Sequence, residues 1–218
     1  METVRQFFNH GGLVMWPLLG LSLFSLAMTL ERLIFWLRTT RRQEQVLENI
    51  IDIYKENPKS VHKILMRNRH LSVARIFIVP LSLKRSTPEK FRLALETAAQ
   101  AEMPLLKRFN NAFDVIISTS PLLGLLGTVL GLITSLSSLR IGDLGSSQAT
   151  GVTGGIGVAL TSTATGLLIA IITLFFASMF RGLYLRQISL TQEFGGQLEL
   201  LHLEQYEEQG EISHAIKQ

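Results

Sequence analysis

Three stretches of this chain contain no Asp, Glu, Lys, Arg or His: residues 11–30, 115–139 and 152–180, which are 20, 25 and 29 residues long. A helix rises about 1.5 Å per residue, so about 20 residues cross the roughly 30 Å hydrocarbon core of a bilayer. Each stretch is long enough to span. Charged residues make up 17% of the chain, against roughly 25% in soluble domains. This pattern excludes an ordinary soluble enzyme and a disordered chain. The absence of cysteine excludes a disulfide-stapled secreted domain. The expected fold class is all-α: a polytopic membrane protein with three transmembrane helices, two of them long and extending into a cytoplasmic helical region.

The first stretch reads as a permanent anchor. A cleaved signal peptide wants a positive start and a small-residue cleavage site. Here the start is charge-balanced, and the run ends in Glu31-Arg32 and Arg38. Trp16 and Trp36 lie toward its two ends, where indole rings prefer the interface. Between Arg38 and Arg108 fall 15 of the 21 Lys and Arg residues, against 7 acidic ones. The positive-inside rule then places this insertion in the cytoplasm, with Arg38, Arg41, Arg42, Lys107 and Arg108 at the membrane ends carrying the argument. The predicted layout is an external segment at 1–12, spans at 13–37, 111–139 and 152–181, a cytoplasmic insertion at 38–110, an external loop at 140–151, and a cytoplasmic tail at 182–218. That tail is acidic, so the net charge of +4 averages two unlike regions. A basic region beside spans points to topology and attraction to membrane lipids rather than to nucleic acid.

Local signals fill in the rest. Residues 1–10 suggest a short interfacial helix with Val4, Phe7 and Phe8 on one side. Val46, Leu47, Ile50, Ile51 and Tyr54 recur at helical steps, giving an amphipathic helix over 40–56 that ends in a turn at Asn57-Pro58. A second short helix carries Val61, Ile64 and Leu65. Ser86-Thr87-Pro88-Glu89 is a helix start: a hydroxyl cap, a proline in the first turn and an acid near the positive end of the dipole. No strong stop follows until about Leu139, with Pro104 and Pro121 as kinks. The third span is expected to run on to about Gln209, with Gly210 as a cap.

The spans hold more than hydrocarbon. Gly124, Gly127, Thr128, Gly131 and Ser135 share one face of the second by their three- and four-residue spacing. Gly155, Ala159, Ser162, Thr163, Gly166, Ala170 and Thr173 do so on the third. Small residues let helices approach closely in lipid, and hydroxyls hydrogen-bond across them. Packing accounts for the glycines Gly124, Gly127, Gly131, Gly155 and Gly166. Thr161, Ser162, Thr163 and Thr165 crowd one level of the third span. With Thr128 opposite, they read either as packing hydroxyls or as the wall of a wet path that includes Ser162 and Ser135. No ionisable residue lies inside any span, and an ion site in a membrane usually needs one. If ions move, a partner must bring the titrating group; Glu31 and Asp114 are expected as helix-end charges. The five histidines show no ligand spacing and there is no cysteine. Gly-Leu-Leu-Gly-Thr-Val-Leu-Gly lacks the Walker lysine, and there is no Gly-x-Ser-x-Gly elbow. The chain is therefore not expected to be an enzyme or to hold a cofactor or metal.

The run from Pro121 to Leu132 resembles the second-span signature of the ExbB/TolQ proton-channel family, and the run from Gly155 to Leu167 its third-span signature. Gly11-Gly12, Trp16-Pro17, Glu31-Arg32-Leu33 and residues 96–104 fit as well, so the resemblance covers nearly the whole chain in order. It implies a bacterial inner-membrane protein with its N-terminus outside and its C-terminus cytoplasmic. It also implies a homopentamer around a central pore, holding two copies of an ExbD/TolR-like single-span partner, each with a membrane Asp. Proton flow past that Asp would drive a TonB- or TolA-like system for transport or envelope work. The pore-lining threonines of that family map onto Thr128 and Thr163. Val158 departs from the pattern, because relatives often carry Glu there. Two other readings remain: a non-conducting scaffold whose hydroxyls only glue helices, and a flagellar-type motility stator.

Overall fold

The computed structural model describes residues 12–56, 58–83, 86–138 and 146–215. The expected interfacial helix at 1–10, Asn57 of the expected turn, and residues 140–145 of the expected loop lie outside the described residues. Among the described residues six helices follow in order: α1 Met15–Glu56, α2 Pro58–Arg67, α3 Ser72–Leu81, α4 Pro88–Leu106, α5 Asn110–Ser137 and α6 Ser146–Ala215. No strand occurs among the described residues. Among the described residues, three helical stretches are long and apolar enough to cross a membrane: Met15–Thr39, Pro88–Ser137 and Gly151–Glu208.

Helix starts and stops follow local chemistry in part. Thr87 caps α4: its Oγ1 accepts from the Lys90 N–H at 3.4 Å, Pro88 opens the helix, and Glu89 sits in its first turn. Pro104 lies inside α4 and Pro121 inside α5. The first span and the amphipathic 40–56 segment are one continuous helix, because nothing between Leu21 and Glu56 breaks it.

Three expectations shift. The helix read as running from Glu89 to Leu139 is interrupted at Lys107-Arg108-Phe109, and Phe109 adopts φ 69°, the left-handed region. That conformation costs a non-glycine residue about 1–2 kcal/mol. The contact that offsets it is tertiary: the Arg32 guanidinium lies over the Phe109 ring at 5.4 Å. At the other ends, α6 already begins at Ser146 and continues through Gly210 to Ala215. A single glycine costs a helix only about 1 kcal/mol and is no stop by itself.

The chain divides into two compact units: Met1–Arg32 with Phe109–Phe180, and Leu33–Arg108 with Arg181–Gln218. The first holds charge-free segments of α1, α5 and α6. Its large apolar side chains are mostly outward, Leu23, Leu122, Ile133, Leu168, Ile171 and Phe175 among them. That is the inverse of a soluble core and suits a hydrocarbon surround.

The second unit has an ordinary apolar core. Leu47, Ile50 and Tyr54 of α1 pack with Val61 and Leu65 of α2, Phe77 of α3, Phe91 of α4 and Leu198 of α6. The three- and four-residue spacing of the α1 members is the pattern that placed them inside. Arg75 and Glu102 form a bidentate pair, Nε–Oε1 at 2.7 Å and Nη2–Oε2 at 2.6 Å. Arg75 also donates to the carbonyls of Arg69 and His70, tying down the α2–α3 turn. Glu102 holds the guanidinium above its ordinary pKa, through their hydrogen bond first and their charge attraction last, with burial opposing.

His202 joins three segments: Nδ1 meets the Tyr54 hydroxyl at 3.1 Å, Nε2 lies 3.1 Å from both the Ser86 hydroxyl and the Ser86 carbonyl, and Phe91 stacks at 4.4 Å. Burial raises the Tyr54 pKa.

Candidate functional site

The two membrane helices of the candidate site meet along a glycine seam in the first unit. Gly124, Gly127 and Gly131 are buried on α5, and Gly155 and Gly166 on α6. A Cβ at Gly131 would stand 2.7 Å from the Gly155 carbonyl oxygen and 2.9 Å from the Ala159 nitrogen. One at Gly124 would stand 3.0 Å from the Ser162 carbonyl oxygen and from the Thr163 Cα. A Cβ at Gly127 would run into the Ser162 side chain, one at Gly155 into Ser135, and one at Gly166 into the Ser120 carbonyl. Only a hydrogen fits at these positions, and main chain lies against main chain.

That approach decides what the hydroxyls reach. Ser162 is fully buried and donates to the Ala159 carbonyl at 3.0 Å, with the Gly124 carbonyl at 3.4 Å across the seam. Thr163 Oγ1 donates to the same Gly124 carbonyl at 3.0 Å. Ser135 is buried and donates to the Val152 carbonyl at 3.1 Å. Thr128 sits at the edge of the seam, partly exposed, and donates to the Leu125 carbonyl of its own helix at 2.6 Å. Successive helical residues turn by about 100°, so the four hydroxyl residues at one level diverge. Ser162 points into the seam and Thr163 toward Gly124, whereas Thr165 donates to the Thr161 carbonyl at 2.8 Å.

Two buried polar features were not legible in the sequence, one between α1 and α6 and one in the seam. Ser25 of α1 and Thr173 of α6 share a buried hydrogen bond of 2.8 Å, although 148 residues separate them. Ser120 is fully buried, and its hydroxyl has no hydrogen-bond partner among the described residues. Thr173 falls on the predicted small face of its span; Ser25 and Ser120 were not singled out.

The charges sit at the ends. Glu31 lies 3.4 Å from Arg32, which is itself buried. Asp114 is exposed in the first turns of α5. Val158 packs its Cγ1 about 3.0 Å from where a Cβ of Gly12 would be, and Gly12 has φ 69°. No group of three or more His, Asp or Glu residues comes together among the described residues.

Comparison with known proteins gives this seam a context. Residues 60–193 match the MotA/TolQ/ExbB proton channel family. The chain is 49% identical to the putative biopolymer transport protein ExbB-like 3 of Synechocystis sp., over 94% of its own length and 98% of that protein. It is 39% identical to ExbB-like 1 of the same organism, over 90% and 78%. It is 28% identical to the biopolymer transport protein exbB1 of Vibrio cholerae, over 78% and 76%.

Proposed function

The chain belongs to the MotA/TolQ/ExbB proton channel family, and from that premise we propose that it forms the hydroxyl-bearing wall of a proton path in an energy-transducing membrane complex. The proposed assembly is a homopentamer in the bacterial inner membrane, N-terminus outside and C-terminus cytoplasmic. It encloses an ExbD/TolR-like single-span partner, whose membrane Asp titrates. The partner then passes work to a TonB- or TolA-like protein for biopolymer transport.

One observation carries the reading. The α5–α6 seam holds Thr128 at its open edge and Thr163 against the Gly124 carbonyl, in stretches that contain no ionisable side chain. A hydroxyl both donates and accepts. Toward a protonated Asp, Thr128 and Thr163 keep their bonds to the Leu125 and Gly124 carbonyls and accept from the acid. Toward an ionised Asp, they swing away from those carbonyls and donate. An ionised carboxylate in hydrocarbon is costly without such donors. A wall of hydroxyls stabilises both states without a fixed charge that would trap the Asp in one of them. Val158, where relatives often carry Glu, leaves this wall without a carboxylate of its own.

A structural scaffold is the second reading. It is favoured by the bonds of Ser162, Thr163 and Ser135 to carbonyls of their own chain. Proton uptake into vesicles holding the chain with its partner separates the two. Thr128→Val and Thr163→Val should each lower flux about tenfold or more while co-purification with the partner persists. Full flux in both variants would show that these hydroxyls only hold helices together, and no flux in the wild-type complex would leave only the non-conducting scaffold.

A further inference from the structure

A groove of about 340 Å³ runs between α1 and α6 in the first unit, apart from the glycine seam. It extends from the level of Met15 to that of Thr29 on α1, which is about 21 Å at the helical rise. Small side chains hollow it: Ser22 and Ser25 stand on one wall where their neighbours are leucines, and Thr165 stands on the other. Leu26, Leu168 and Phe176 form apolar lips. Three of its five hydroxyls are already satisfied. Ser25 and Thr173 bond to each other, Thr173 also donates to the Ile169 carbonyl at 2.7 Å, and Thr165 is bonded to Thr161.

Counted up to the wall atoms and with its open side included, the space is about 930 Å³, which over that length gives a section of at most about 44 Å², against roughly 80 Å² for a helix about 10 Å across. A partner helix is therefore too thick to enter. Water gains little where three of the five wall hydroxyls are already bonded to protein. A single hydrocarbon chain fits within that section and can follow its length, and in a multi-pass membrane protein it is the medium at hand. We infer that this groove is a lipid-binding site that takes one phospholipid acyl chain lengthwise between the first and third spans. The bound chain completes the packing of α1 on α6 at the level of the Ser25–Thr173 bond.

The test measures phospholipid retained per chain after the full-length protein, in complex with its partner, is washed extensively in dodecyl maltoside. Native mass spectrometry supplies the count. Wild type should keep about one phospholipid per chain. Ser22→Phe fills the trough from α1, and Thr165→Phe fills it from α6. Each should cut retention at least about fivefold, with helical content unchanged. Leu23→Phe, on the exposed neighbouring face, should not. No retained lipid in wild type, or equal retention in all four proteins, overturns the inference. The chain has no cysteine, so a lone Leu168→Cys reports what covers the groove. Absence of disulfide-linked dimers is expected, whereas efficient dimer formation would show a second copy there in place of lipid.

Discussion

Replacing Gly131 by Ala tests the seam quantitatively. The new Cβ would lie 2.7 Å from the Gly155 carbonyl oxygen and 2.9 Å from the Ala159 nitrogen. Both are main-chain atoms, so no side chain can swing aside. Reaching an ordinary contact requires α5 and α6 to part by several tenths of an ångström. Helix association in lipid rests on van der Waals packing rather than on a hydrophobic drive. A radial gap of 0.5–1 Å already loses about a quarter to a half of each contact. Overpacking of this kind costs about 1–3 kcal/mol. Alanine returns up to about 1 kcal/mol as the better helix former. The expected net loss is about 0–2 kcal/mol. Gly20 is the control: nothing lies within 4 Å of its would-be Cβ, so Gly20→Ala should be neutral or stabilising by up to about 1 kcal/mol. Reversible unfolding of the purified protein by SDS in mixed micelles reads both. Gly131→Ala at least as stable as Gly20→Ala would refute the close-packed seam.

Other expectations follow from single contacts. Ser25→Ala removes one buried hydrogen bond between spans while Thr173 keeps its bond to Ile169; the same assay should show a loss of about 0.6 kcal/mol, and no more than about 1.7. Phe109→Gly should be more stable than Phe109→Ala by about 1 kcal/mol, the reverse of the order inside a helix, because both lose the ring and only glycine accepts φ 69° without cost. Glu102→Gln leaves Arg75 without its carboxylate and should destabilise the second unit by about 1–3 kcal/mol, read as earlier proteolysis near the α2–α3 turn. Burial raises the Tyr54 pKa above 10.0, so its neutral form is favoured on folding. The stability it contributes is complete below pH 10.0 and declines as pH rises toward the higher folded value. Tyr54→Phe should remove that part of the alkaline slope, and an unchanged slope would remove Tyr54 from the account.

The parts that were legible in the sequence are those written in local pattern. The charge-free runs set the spans because burial of charge in hydrocarbon is costly. The glycine faces followed from a repeat of three and four, and the Thr87-Pro88-Glu89 start from capping chemistry. The interruption at 107–109 left no such mark. It contains neither glycine nor asparagine, and its left-handed Phe109 lies against Arg32, a residue far away in sequence. Ser25 shows the same limit: a lone serine in an apolar run reads as filler until the helix bearing Thr173 is set against it. The crowding of hydroxyls at 161–165 was visible. Their divergence around α6 became plain only once α5 and α1 were placed on different sides of it.

The most direct measurement of the central claim is proton permeation into vesicles under an imposed potential, with three contents compared. These are the chain alone, the chain with the proposed single-span partner, and the chain with that partner's membrane Asp changed to Asn. A hydroxyl wall that borrows its acid predicts flux only with the unaltered partner. Equal flux from the chain alone, or from the Asn-bearing complex, would contradict it.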